Sequence, residues 1–252
     1  MSKIVAIHSF RGGTGKSNIT ANVATIIAQQ GHRVGVIDTD IQSPGIHVLF
    51  GLDEAKIDKA LNDYLWGKCA VEETAYDVGA GAVTLMSGGI YLVPSSLKAG
   101  EIARVLREGY EVSLLNDGFR ELIRRLKLDY LCIDTHPGLN EETLLAIAIA
   151  DVLLIILRPD QQDYLGTAVT VEVAGRLGVP HMLLVVNKVL PAFNFAEVKQ
   201  QVGQTYGCPV AGILPLSEDV VRLASAGIFC LRYPDHAVSQ ELRRIADQIL
   251  TF

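Results

Sequence analysis

Short apolar runs alternate with stretches of helical periodicity along the whole chain. Lys3-Ile4-Val5-Ala6-Ile7-His8 opens as a strand, and Asn18 to Gln29 follows as a helix with Ile19, Val23, Ile26 and Ile27 on its apolar positions. Gly31-His32 stops that helix, and Arg33 to Asp38 reads as a second strand. Leu52 to Lys68 reads as a helix carrying the single tryptophan, Trp66. The stretch from 69 to 90 is mixed, with Gly79, Gly81, Gly88 and Gly89 marking turns. Ile90 to Val93 reads as a strand with Pro94-Ser95-Ser96 as its exit, and Ala99 to Leu106 and Val112 to Leu126 read as helices around Gly109. Tyr130 to Asp134 is the next strand. Val152 to Leu157 is apolar at every position, the pattern of a strand covered on both faces. His181 to Val186 and Val210 to Leu214 repeat the strand pattern, between helices at Gln162 to Leu177, Val198 to Tyr206, Asp219 to Ala226 and Ser239 to Leu250. Neither a linker nor an internal repeat interrupts this alternation. It predicts one α/β domain over residues 1–252: a mostly parallel, twisted sheet with helices on both faces.

Composition narrows the function. Of 252 residues, 49% are hydrophobic and 20% charged, which predicts a globule and not a disordered chain. The net charge of −6 argues against non-specific nucleic-acid binding. Cysteines stand at 69, 132, 208 and 230, and their spacing suits neither a zinc site nor a disulfide framework. The longest apolar run, Leu144 to Leu157, is broken by Asp151 and falls short of the ~20 residues that span a bilayer. No basic segment followed by a long apolar run opens the chain, so the expected location is cytoplasmic.

The chemistry concentrates at the first strand-to-helix turn. Phe10-Arg11-Gly12-Gly13-Thr14-Gly15-Lys16-Ser17 sits between strand and helix, the setting of a phosphate-binding loop. Glycines let several backbone N–H groups face one anion, and the helix adds its positive end. Lys16 is placed to reach β- and γ-phosphates, and the Ser17 hydroxyl to sit on Mg²⁺. Phe10 stands where the strict pattern has glycine. Asp38 and Asp40 close the second strand, beside this loop, where a metal and a water are expected; alone they would read as turn formers or a cap. Asp134 ends an apolar strand, the usual position of an acid that holds Mg²⁺ through water. His136 follows it in a tight turn and has no assigned role. Asn187, at the end of a buried strand, suits either an adenine edge or a turn cap.

These residues resemble the MinD/ParA family of Walker-type ATPases, whose loop reads Lys-Gly-Gly-x-x-Lys-[Ser/Thr]. Val36 to Asp40 resembles its switch I, and Tyr91 to Ser95 its strand-to-proline signature. Ile133 to Gly138 resembles switch II, Val185 to Lys188 the base-reading segment, and Leu214-Pro215 the loop beside the base. The MinD-like branch fits better, because no DNA-binding extension precedes the first strand. The resemblance implies Mg-ATP binding, an ATP-dependent homodimer, and slow hydrolysis to ADP stimulated by a partner protein. Asp40 would orient the attacking water. Ser17, Asp38 and Asp134 would hold magnesium. Gly12, Gly13, Thr14, Gly15, Lys16, Ser17 and Asn18 would grip the nucleotide, with Asn187 and Pro215 at its base. Two positions depart from the pattern. Arg11 replaces the lysine that reaches across to the partner's phosphates, and His136 replaces a proline.

The final helix tests the membrane. Leu242, Ile245, Ala246 and Ile249 line one face, but its charges sum to zero, whereas a membrane-surface helix carries a basic face. Core packing is the expected role, and a peripheral membrane site is only weakly supported. From Pro215 onward four arginines meet five acids, which makes DNA an improbable partner. The resemblance leaves three roles: a positioning or regulatory ATPase; a metal-cluster carrier or reductase of the same fold, which would need paired cysteines; and a nucleotide-binding scaffold without hydrolysis.

Overall fold

Among the described residues, eight strands form one sheet in the order β3-β4-β2-β5-β1-β6-β7-β8. They are β1 (Lys3–His8), β2 (Val34–Asp38), β3 (Tyr76–Asp77), β4 (Ile90–Val93), β5 (Tyr130–Asp134), β6 (Val152–Leu157), β7 (His181–Val189) and β8 (Val210–Pro215). Every pairing is parallel except that of the two-residue edge strand β3 with β4. This is a computed structural model, and it describes residues 2–79 and 88–252. The turn expected at Gly81 lies outside the described residues.

The topology follows from where the chain begins. β1 lies inside the sheet, between β5 and β6, so the chain leaves it in two directions. Residues up to 134 build one half, and residues from 152 build the other. All parallel strands end at the same edge, and the crevice at that edge opens where the strand order reverses.

Both faces are covered, as the apolar runs require. On β6, Val152, Leu154 and Ile156 pack on the face shared with α1 (Lys16–Gln29), while Leu153, Ile155 and Leu157 pack on the other. The last helix, Ala237–Leu250, lies against α1 and β8. Its residues Leu242, Ile245, Ala246 and Ile249 are all buried. A Cβ on Gly212 of β8 would come within 2.7 Å of Ile245, so the helix is seated tightly on the strand. Its apolar face is therefore core, as its charges implied. Among the described residues, no helix is long and apolar enough to cross a membrane.

The helix expected over Leu52 to Lys68 is not continuous. A 3₁₀ turn at Glu54–Lys56 precedes a five-residue helix, Leu61–Leu65. Ala60 between them is extended, at φ −116° and ψ 171°, and its N–H donates to the Asp63 carboxylate. Leu61 N–H is drawn away to the Pro94 carbonyl at 2.9 Å. Both contacts compete with a helical path. Trp66 ends up beneath the Arg104 guanidinium, 4.4 Å from the ring centre. Helix α1 begins at Lys16, two positions before the sequence expectation.

Ile245→Ala tests the seating of the last helix. Removing this fully buried side chain should cost about 2–5 kcal/mol in denaturant unfolding. A loss under about 1 kcal/mol would mean that the helix is a loosely held appendage.

Candidate nucleotide site

The turn after β1 is built from left-handed glycines. Gly13 has φ +76° and Gly15 φ +93°, a region that residues with a Cβ rarely enter. Gly15 also caps α1. A Cβ there would lie 2.5 Å from Asn187 Nδ2. The loop, the N-terminus of α1, Asp38, Asp40, Ser43 and Pro137 line a cavity of about 330 Å³. Thr14 lines it too, and its buried hydroxyl has no hydrogen-bond partner among the described residues. An orphan donor beside aligned backbone N–H groups suits phosphate oxygens.

The acids come from the neighbouring strands. Register pairs Asp38 with Asp134 across β2 and β5. Thr39 ties the two strand ends, with its N–H and hydroxyl both donating to the Asp134 carbonyl. Lys16 Nζ donates to Asp134 Oδ1 at 2.8 Å, and Thr20 Oγ1 donates to the same oxygen at 2.9 Å. Asp38 accepts from the N–H groups of Asp40 and Gly45. Burial, and then the Asp134 charge, push the Asp38 carboxyl up to about 7. Burial also raises Asp40, against the pull of His136 and Lys16. Among the described residues, no three His, Cys, Asp or Glu side chains converge to hold a metal alone. Magnesium, however, is usually bound by one or two carboxylates together with substrate phosphates. Two buried acids that face a single lysine, with the Ser17 hydroxyl nearby, fit such an ion.

Not every expected residue meets in this cavity. Asp134 is 1% exposed and lies behind Lys16, not on the cavity wall. Arg11 is exposed and borders a separate apolar groove with Phe10, Gln162, Leu165, Gly166 and Val169. Phe10, in the place of a glycine, packs so closely on Gly166 that a Cβ there would overlap its ring. Asn187 and Pro215 line a second cavity of about 290 Å³, walled by Leu214, Val220, Phe229 and Val238. Gly15, Asn18 and Ser225 border both cavities. An apolar pocket opening beside an anion cradle has the shape that a nucleoside polyphosphate needs.

Four contacts had no signal in the local sequence. Lys188 Nζ donates to the Gly13 carbonyl at 2.8 Å, and Asn187 Nδ2 donates to the Thr14 carbonyl at 2.7 Å. The hydrogen that Asn187 gives to Thr14 is not free toward a base, while its Oδ1 accepts the adjacent Lys188 N–H. His136 donates from Nδ1 to the Pro137 carbonyl, which leaves Nε2 3.7 Å from Asp40 Oδ1. The fourth is His8. The Thr135 hydroxyl donates to the Ile7 carbonyl, so His8 Nδ1–H must donate to Thr135 Oγ1, at 2.8 Å. Burial, then the Lys16 charge, lowers the His8 pKa to about 3 and keeps the ring neutral.

Comparison with known proteins agrees with this geometry. A family model described as ParA, NUBPL iron-transfer P-loop NTPase, matches residues 1–250. The chain belongs to the ParA family of P-loop NTPases. An ATP-binding protein of Methanocaldococcus jannaschii is 28% identical over 251 residues, covering 99% of this chain and 88% of that protein. A cytosolic Fe-S cluster assembly factor of Chaetomium globosum is 35% identical over 158 residues, 63% of this chain and 48% of that one. The septum site-determining protein MinD of Pyrococcus horikoshii, solved with Mg-ADP, matches at a TM-score of 0.81 and 19% identity, covering 99% and 96% of the two chains. At that identity the likeness shows the fold alone. The family and fold expected from the sequence are therefore correct.

Two outcomes check the site. Gly15→Ala should weaken ATP binding by on the order of tenfold to a hundredfold, through backbone strain and the clash with Asn187. An unchanged dissociation constant in calorimetry would remove the loop from the site. For His8, the unfolded ring takes up a proton near 6.5, but the folded ring does so only near 3. Its contribution to stability is therefore present above pH 6.5 and falls away as the pH drops toward 3. Between pH 6.5 and 5, wild type should lose about 2 kcal/mol relative to His8→Asn, measured by urea unfolding. Parallel curves for the two proteins would contradict the buried neutral ring.

Proposed function

We propose that this P-loop NTPase is a Mg-ATP switch, which closes into a homodimer on ATP and reopens after slow hydrolysis stimulated by a partner protein. The supporting observation is that an apolar pocket and a glycine cradle flanked by acids share Gly15, Asn18 and Ser225 as wall residues. Adenine would enter the pocket beside Asn187 and Pro215. Gly12, Gly13, Thr14, Gly15, Ser17 and Asn18 would surround the phosphates. Lys16 would turn from Asp134 toward the β- and γ-phosphates. Ser17 and Asp38 would hold magnesium, with Asp134 acting from behind, and the ion would neutralise charge on the phosphates. Asp40 would orient the attacking water, since its carboxylate stands at the cavity wall. Catalysis here would be mostly positioning and charge stabilisation. Arg11 borders a groove apart from this protomer's cradle, so it would act across the dimer, on the partner's phosphates. Its guanidinium would supply forked donors in place of a lysine's point charge.

Spatial positioning or regulation of a cargo fits this cycle better than the carriage of an iron-sulfur cluster. The relatives' names favour the carrier reading. The cysteines do not: Cys132, Cys208 and Cys230 are buried, and Cys69 is half-buried and alone. Iron content after anaerobic purification separates the two, since a carrier would copurify with iron and sulfide. Phosphate release separates a switch from a scaffold that only binds.

The deciding measurement is mass in solution with ADP, with ATP, and with ATP after Asp40→Ala. ATP should raise the mass to that of a dimer, and Asp40→Ala should hold it there. Equal masses in all three conditions would leave no switch.

A further inference from the structure

The end of β7 is built abnormally, and the abnormality points at the phosphate loop. The register between β7 and β8 slips between Val186 and Val189. Within that slip Lys188 takes φ +59°, in the left-handed region that disfavours residues with a Cβ. The chain holds this conformation although no glycine stands there. Its effect is to bring the Lys188 ammonium to the Gly13 carbonyl, 175 positions away in sequence. Asn187 reaches the Thr14 carbonyl beside it and accepts the Lys188 N–H on Oδ1, at 2.9 Å. The missing Cβ of Gly15 leaves the space in which Asn187 lies.

Peptide geometry says what this does. A trans peptide is planar, with its C=O and N–H pointing in opposite directions. The Gly13 carbonyl shares a peptide with the Thr14 N–H, and the Thr14 carbonyl shares one with the Gly15 N–H. Donors that pull both carbonyls toward β7 turn the two N–H groups the other way. The same loop residues, Gly12, Gly13, Thr14, Gly15 and Lys16, line the cavity. Lys188 also lines the apolar cavity, so its stem and its ammonium serve adjoining halves of the site.

We infer that Lys188 is a positioning residue for phosphate binding: with Asn187 it straps the loop carbonyls to β7 and thereby aims the Thr14 and Gly15 N–H groups at the phosphate chain. The inference rests on the nucleotide reading of the site. Lys188 is not among the residues lining the cradle cavity, whereas Lys16 is. Its charge strengthens the hydrogen bond to Gly13, because an ionised donor binds a carbonyl more tightly than a neutral one.

The test compares two ligands, Mg-ATP and magnesium tripolyphosphate, which has the phosphates without the base. Lys188→Met keeps the apolar stem and removes the donor. It should weaken both ligands by about tenfold. Lys188→Arg should recover most of the loss, and the melting temperature should stay that of wild type, because the side chain is exposed. If Lys188→Met binds tripolyphosphate as wild type does, the strap is overturned, whatever happens to ATP. If wild type binds neither ligand, the nucleotide reading falls and the strap with it. If Lys188→Met loses binding only because its melting temperature collapses, the role is structural and the inference is wrong.

Discussion

The site is organised by a buried ammonium–carboxylate pair. Lys16 and Asp134 meet at 2.8 Å with side chains only 7% and 1% exposed. Removing two charges from water is costly, and such a pair persists where further hydrogen bonds complete it. Thr20 gives Asp134 its second donor, and Thr39 holds the backbone of the same residue. The pair therefore fastens the first turn of α1 to the end of β5. That fastening sets where the loop between β1 and α1 can lie, and the acids and the apolar pocket are arranged around it.

The sheet makes the arrangement possible. Because β1 is central, the loop that follows it has a neighbour on each side. β5 and β2 bring acids from one direction, while β7 and β8 bring Asn187, Lys188 and Pro215 from the other. Parallel pairing delivers all of them to one edge. The loop is thus gripped by side chains from both halves of the chain, and each half contributes different chemistry: charge on one side, apolar wall and carbonyl-binding donors on the other.

Much of this could be read directly from residues. Continuous apolar runs such as Val152 to Leu157 announced buried strands, because a strand covered on both faces has no polar position to spare. The glycines of the phosphate loop were legible because positive φ at Gly13 and Gly15 is a local requirement. The break in the helix over Leu52 to Lys68 was not legible. Its cause includes a hydrogen bond from Leu61 to Pro94, on a different strand's exit. The roles of Asn187 and Lys188 were hidden for the same reason: their partners, Thr14 and Gly13, lie at the other end of the chain. His8 looked like the last residue of a strand, and only the Thr135 hydroxyl beside it defines its tautomer.

By itself, then, the sequence determined the strand and helix alternation, the phosphate loop, the acids at strand ends and the family. Each of these depends on periodicity or on the backbone freedom of a few adjacent residues. Tertiary structure alone decided which groups meet: that Lys16 rests on Asp134, that Arg11 borders a groove apart from the glycine cradle, and that Lys188 donates to the Gly13 carbonyl. Hydrogen bonds are made through space over about 3 Å, and a linear pattern carries no record of which distant residues the fold brings that close.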